Sequence, residues 1–163
     1  MIKGLHHNAY RCRDSEETRR FYEDFLGLPL ASTLEIGETR TGGATHALHT
    51  FYEMGDGSFL AFFEAPDMPF EFKPQHDYDL HIALEVDEPT LHEMFARGKA
   101  RGVETRGIID HGFIHSIYFR DPNGYVIELT ARSASGAGDA DAAGHSARAK
   151  LDRWQAGKAP RAG

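Results

Sequence analysis

The sequence predicts an α+β protein made of two copies of one module, each a strand, a helix and about three further strands. Three observations predict it. The short strand-like segment His7-Asn-Ala-Tyr-Arg-Cys12 is matched by His81-Ile-Ala-Leu-Glu-Val86. Each leads to an acidic turn, at Asp14 and Asp87, that opens a helix-like segment. Each half then ends in strand, turn, strand, with Asp56-Gly57 and Asn123-Gly124 as hairpin signals.

The elements follow in order. Asp14 with Glu17 fits a capping box, and Phe21, Tyr22, Phe25 and Leu26 form the apolar stripe of the first helix. Gly27 sits where a left-handed C-terminal cap belongs. Leu30–His49 supplies the extra strand of the first half, ahead of the hairpin that starts at Thr50. The stretch Glu64–Pro74 has three prolines and reads as a semi-rigid connector. In the second half, Pro89 lies just inside the helix start, Leu91, Met94, Phe95 and Gly98 form the stripe, and Gly102 caps it. Val103–His111 supplies the extra strand, and the second hairpin begins at Ser116. The modules span about 3–66 and 78–132.

Residues 133–163 differ in composition. They hold ten alanines, and Leu151 and Trp154 are their only large apolar side chains. Ser133–Gly144 reads as a flexible linker, and Ser146–Gly157 as a short helix whose Leu151 and Trp154 dock on the body. The tail carries a net +2, so residues 1–132 carry −9 of the overall −7. That balance argues against nucleic-acid binding. No apolar run approaches the roughly 20 residues of a membrane span, and no secretory signal is visible. The single cysteine, Cys12, suits a reducing cytoplasm.

Histidine is the unusual feature: ten are present, seven of them between His46 and His115. His7 and His81 occupy equivalent places in the repeat. Strand alternation puts His7, Ala9 and Arg11 on one face, and His81, Ala83 and Glu85 on the matching face. The last strand, Tyr125-Val-Ile-Glu128-Leu-Thr, sets Glu128 among apolar residues. A carboxylate there is costly unless paired, protonated or bound to a metal. His7, His81 and Glu128 make a two-histidine, one-carboxylate set, which leaves coordination positions open and suits non-haem iron(II). A fourth ligand is not expected. Asp56–Ala61 aligns without gaps on Asn123–Glu128, so Ala61 stands opposite Glu128, and Glu64 falls on the other strand face.

Leu5-His6-His7 running to Asp14, Phe21-Tyr-Glu-Asp-Phe-Leu-Gly27, Leu80-His81-Ile-Ala and Asp121-Pro-Asn-Gly-Tyr-Val-Ile-Glu128 resemble the vicinal oxygen chelate superfamily. That group includes glyoxalase I, fosfomycin and bleomycin resistance proteins, and extradiol dioxygenases. The resemblance covers roughly residues 3–132. It implies paired βαβββ modules forming a cupped mixed β-sheet around a metal site. His111, Tyr118 and Glu128 also fall on the extradiol signature, and His49 resembles the strand histidine that acts as acid–base in those enzymes. This narrower resemblance implies an Fe(II)-dependent dioxygenase cleaving a small catecholic substrate with O2, with Mn, Zn or Ni as other metals. His49 would move the protons, and Tyr118 and His111 would hydrogen-bond the bound oxygens. His46, His76, His92, His115 and His145 are given no role. The alternatives are a glyoxalase-like isomerase or lyase, against which Ala61 argues, and a non-enzymatic resistance protein that binds a small molecule. A homodimer is expected, in the cytoplasm, with no nucleic-acid or membrane partner. The sequence is equally compatible with modules that pair within a chain and modules that swap between two.

Overall fold

The computed structural model describes residues 1–38, 41–133 and 139–158. In chain order the elements are β1 (Tyr10–Arg11), α1 (Ser15–Arg19) continuing as a π-helical stretch (Arg20–Phe25), β2 (Leu30–Glu38), β3 (Ala44–Glu53) and β4 (Phe59–Glu64). The second half holds β5 (His81–Glu85), α2 (Glu88–Ala100), β6 (Thr105–Asp110), β7 (Ile114–Arg120) and β8 (Val126–Arg132), and α3 (Asp139–Ala156) follows. They form two mixed four-stranded sheets, ordered β1-β4-β3-β2 and β5-β8-β7-β6. In each, the first strand pairs in parallel with the last, and the remaining pairs are antiparallel. β1 and β5 are edge strands, so the sheets do not join within one chain.

The predicted first strand is cut short. Only Tyr10–Arg11 and one bridge, His7 to Phe59, pair with β4. The Asn8 side-chain oxygen accepts the Ala61 N–H at 3.0 Å, where a backbone carbonyl would otherwise continue the ladder. Helix starts follow the expected chemistry. Asp14 accepts from Glu17 N at 2.8 Å and Asp87 from Thr90 N at 2.9 Å. Ser15 N, another free amide of the first turn of α1, donates to Glu64 at 2.7 Å. Gly27 and Gly102 adopt the left-handed backbone that ends each helix.

One core serves both halves. Tyr22 packs on Tyr52 and Phe62, and Phe25 meets Phe119 edge-on at 5.1 Å. α2 buries Leu91, Met94 and Gly98, where a side chain would collide with Thr105 and Phe119. The β7–β8 turn locks the halves together. The buried Asp121 takes hydrogen bonds from Tyr22 Oη, Asn123 N and Tyr125 N at 2.8–3.0 Å. Asn123 accepts from Arg13 N, and Tyr125 Oη donates to Arg11 O, both at 2.8 Å. A crevice of about 500 Å³ runs between the halves beside the β3–β4 turn, lined by Leu26, Leu28, Leu60, Ile82, Leu84 and Met94 among others.

The connector packs partly on itself. Phe70 and Phe72 pack edge-on at 4.8 Å, and Arg11 and Arg13 of the first strand region lie over them. The tail also departs from expectation. α3 begins at Asp139, seven residues before the predicted Ser146, while 134–138 of the predicted linker lie outside the described residues. Leu151 and Trp154 are 48% and 68% exposed, so the predicted docking is absent. Two apolar side chains bury too little area to offset the entropy of fixing a helix against the body.

Candidate metal centre

Glu128 is the anchor. It lies in β8 between β5 and β7, with Ala83 and Tyr118 as its cross-strand partners, and is only 6% exposed. Tyr118 Oη donates to Glu128 Oε1 at 3.1 Å. Burial, then the neighbouring Glu128, push the Tyr118 phenol above its usual pKa, so it stays protonated and able to donate. Its single proton is then used, so His111 Nε2, 3.1 Å from the same oxygen, is the donor in that contact. The other carboxylate oxygen faces His81 Nε2 at 3.3 Å. His81 Nδ1–H donates to the Asp77 carbonyl at 2.6 Å, which leaves Nε2 to face Glu128.

This arrangement fits a divalent cation. Among the described residues, Glu128 makes no ion pair with lysine or arginine; its one basic neighbour is an imidazole. An imidazole nitrogen and a buried carboxylate oxygen converging on one point are the donor types of a mixed nitrogen–oxygen metal site. Two donors do not complete it. Among the described residues of one chain, no three His, Cys, Asp or Glu side chains close on a common point.

His7 stands on the other sheet, in an aromatic group. Its ring lies 5.5 Å from Phe51 and 6.1 Å from His49. His49 stacks on Phe63 at 3.6 Å and packs on Phe51 at 4.1 Å. Its Nδ1–H donates to Phe62 O at 3.0 Å. Burial lowers the His49 pKa, which keeps the ring neutral. Ala61 pairs with Phe51 between Phe59 and Phe63, on the face of His49 and His7, and carries no donor side chain. Glu64 points to the helix side, where it accepts from Ser15 N. The structure thus brings together His81, Glu128, Tyr118 and His111. It brings together His7 and His49 separately, on a different sheet of the same chain.

Two residues beside the site escaped the sequence reading. Asp77 and Arg106 pair with N–O distances of 2.7 and 3.0 Å, and the Arg106 guanidinium lies 5.2 Å from the Tyr118 ring centroid. Asp77 sits in a turn outside the repeat, and Arg106 in the poorly patterned stretch before β7. The one available signal was that Asp77 lies four residues ahead of His81.

A sequence model of the Glyoxalase/Bleomycin resistance protein/Dioxygenase superfamily matches residues 4–129. A curated relative, the metallothiol transferase FosB of Shouchella clausii (strain KSM-K16), is 28% identical over 140 residues, covering 79% of this chain and 80% of that protein. Among solved structures, the fosfomycin resistance protein FosX from Listeria monocytogenes, complexed with Mn(II) and sulfate, superposes with a TM-score of 0.58 at 24% identity. The match covers 82% of this chain and 96% of that one. TnmS3, an antibiotic binding protein from Streptomyces sp. CB03234, gives 0.59 at 22% identity, covering 81% and 98%. The matching model shows the superfamily and the solved structures show the fold; none of these matches carries the extradiol branch. The extradiol expectation rested on His111, Tyr118 and His49; here Tyr118, backed by His111, holds the Glu128 carboxylate, and His49 stands on the other sheet.

Proposed function

The chain belongs to the glyoxalase/bleomycin resistance protein/dioxygenase superfamily, and from that premise we propose that it is a metal-dependent enzyme acting on a small oxygen-bearing molecule. The observation that carries this reading is Glu128: a buried carboxylate held by Tyr118, with its free oxygen turned to His81 Nε2. His81 and Glu128 of one copy, with His7 of a second copy, form the three-donor set. β1 and β5 are both open edges, so joining them across a two-fold axis would make one eight-stranded sheet and carry His7 toward His81. The assembly is then a homodimer with modules shared between copies.

When bound, a divalent metal supplies Lewis acidity that polarises a substrate oxygen. The remaining roles belong to the chain. Glu128 and His81 hold the cation, and Tyr118 fixes the carboxylate so that one oxygen stays free. His111 presents an N–H beside the phenol, at the exposed side of the site. Phe51, Phe59 and Phe63 supply apolar walls around His7 and His49. FosB is named a metallothiol transferase and FosX a fosfomycin resistance protein, which favours a reaction on fosfomycin or a molecule like it, with a thiol as one co-substrate. Mn(II) is the first metal to load, since a FosX structure holds it.

A second reading is the ring-cleaving dioxygenase with Fe(II) and O2. It is favoured by the His111–Tyr118–Glu128 chain and by the neutral, buried His49 among aromatic rings. One experiment separates the two. Protein loaded with Mn(II) is given fosfomycin with a small thiol or with water, and protein loaded anaerobically with Fe(II) is given a catechol panel and oxygen. Fosfomycin consumption that is lost in Glu128→Gln supports the first reading. Oxygen uptake with a ring-fission product, lowered about 10²–10⁴-fold in His49→Ala, supports the second. No metal binding in the unmutated protein overturns both.

A further inference from the structure

We propose that Asp77 and Arg106 form a positioning strut that sets the geometry of both His81 and Glu128. The proposal rests on the reading of those two residues as ligands. Asp77 reaches one ligand through its backbone and the other through its side chain. Its carbonyl accepts His81 Nδ1–H at 2.6 Å, which fixes the ring with Nε2 toward Glu128. Its carboxylate binds one nitrogen of the Arg106 guanidinium at 2.7 and 3.0 Å. That guanidinium covers the Tyr118 ring, and Tyr118 Oη holds Glu128. The contacts close a loop from connector to histidine to carboxylate to tyrosine to arginine and back.

The connector is anchored well enough to serve as the fixed end. Gly124, in the β7–β8 turn, has φ of +96°, and a side chain there would collide with the Lys73 carbonyl. Gln75 N donates to Gly124 O at 2.8 Å, and Arg120 Nη1 donates to Gln75 O at 3.0 Å. His76 then caps its own turn, accepting from Tyr78 N, Asp79 N and Leu80 N. Asp77 therefore starts from a backbone tied to the second module, two residues beyond Gln75. Partners of metal ligands orient the donor atoms and are worth roughly 10–100-fold in metal affinity.

The test is Mn(II) affinity, measured by the electron paramagnetic resonance of free Mn(II), in Asp77→Asn, Arg106→Gln and the double variant. Asp77→Asn keeps the carbonyl and the shape and removes the ion pair. The strut predicts that each single variant weakens Mn(II) roughly 10–100-fold with an unchanged melting midpoint. It also predicts that the double variant is no weaker than the worse single, because the two residues act as one unit. Unchanged affinity in both singles, or additive losses in the double, overturns it. If the unmutated protein takes up no Mn(II), the ligand reading falls. The strut is then decided on metal-free protein by the nuclear Overhauser contact between Arg106 and the Tyr118 ring. Its loss in Asp77→Asn supports the strut; its persistence overturns it.

Discussion

Glu128 and Asp121 are both buried carboxylates on one hairpin, and their surroundings give them different work. Glu128 keeps one oxygen turned to an imidazole. Asp121 spends its oxygens on hydrogen-bond donors of the protein, Tyr22 and Asn123 among them. Burial, the largest influence, raises the Asp121 pKa above 3.8. The sign follows from linkage: a group whose folded pKa is raised favours folding most below its unfolded value, and loses that contribution as pH rises through the folded one. Urea midpoints of the native chain and Asp121→Asn, compared from pH 7 down to pH 4, should therefore shift in favour of the native chain toward acid. A difference that is flat, or slopes the other way, contradicts this. Glu128 was legible in the sequence because a carboxylate amid Val126, Ile127 and Leu129 is conspicuous. Asp77 was not, because its contribution runs partly through a backbone carbonyl, which every residue carries.

At the scale of elements, periodicity and turn chemistry found both hairpins and both capped helices. It missed where β1 breaks, because that depends on the Asn8 side chain meeting Ala61 N from a strand some 50 residues on. It also underestimated β3, which starts at Ala44 within a stretch weakly patterned for strand. Gly124 is the turn residue least able to change. Gly124→Ala faces both a left-handed backbone and the Lys73 carbonyl, and should cost about 2 kcal/mol in denaturant unfolding. A cost below the error of that measurement would mean the connector moves aside freely. The tail is expected to be separable. Ser133 belongs to the body, since its N–H binds Phe113 O at 3.0 Å and its hydroxyl binds Gly112 O at 2.7 Å. Truncation after Ser133 should leave Mn(II) affinity unchanged by equilibrium titration, and a loss would assign α3 to the site.

At the scale of the whole molecule, the repeat predicted two histidines in equivalent strands; His81 opens β5, while His7 lies ahead of β1 and pairs through one bridge to Phe59. What no single sequence displays is which copies face each other. In one chain the halves share one core, and β1, with His7 just ahead of it, and β5, with His81, remain open edges of different sheets. The proposed centre is therefore a property of the pair. The direct measurement is Mn(II) stoichiometry in a mixture of His7→Ala and Glu128→Ala chains, unfolded together and refolded. Each variant alone should bind no Mn(II) at the tight site. Random pairing makes half the dimers mixed, and each mixed dimer holds one site with all three donors. The mixture should regain about one-quarter of the native stoichiometry. A mixture that stays as empty as its parents, while the native chain binds one Mn(II) per copy, would contradict a centre built from two copies.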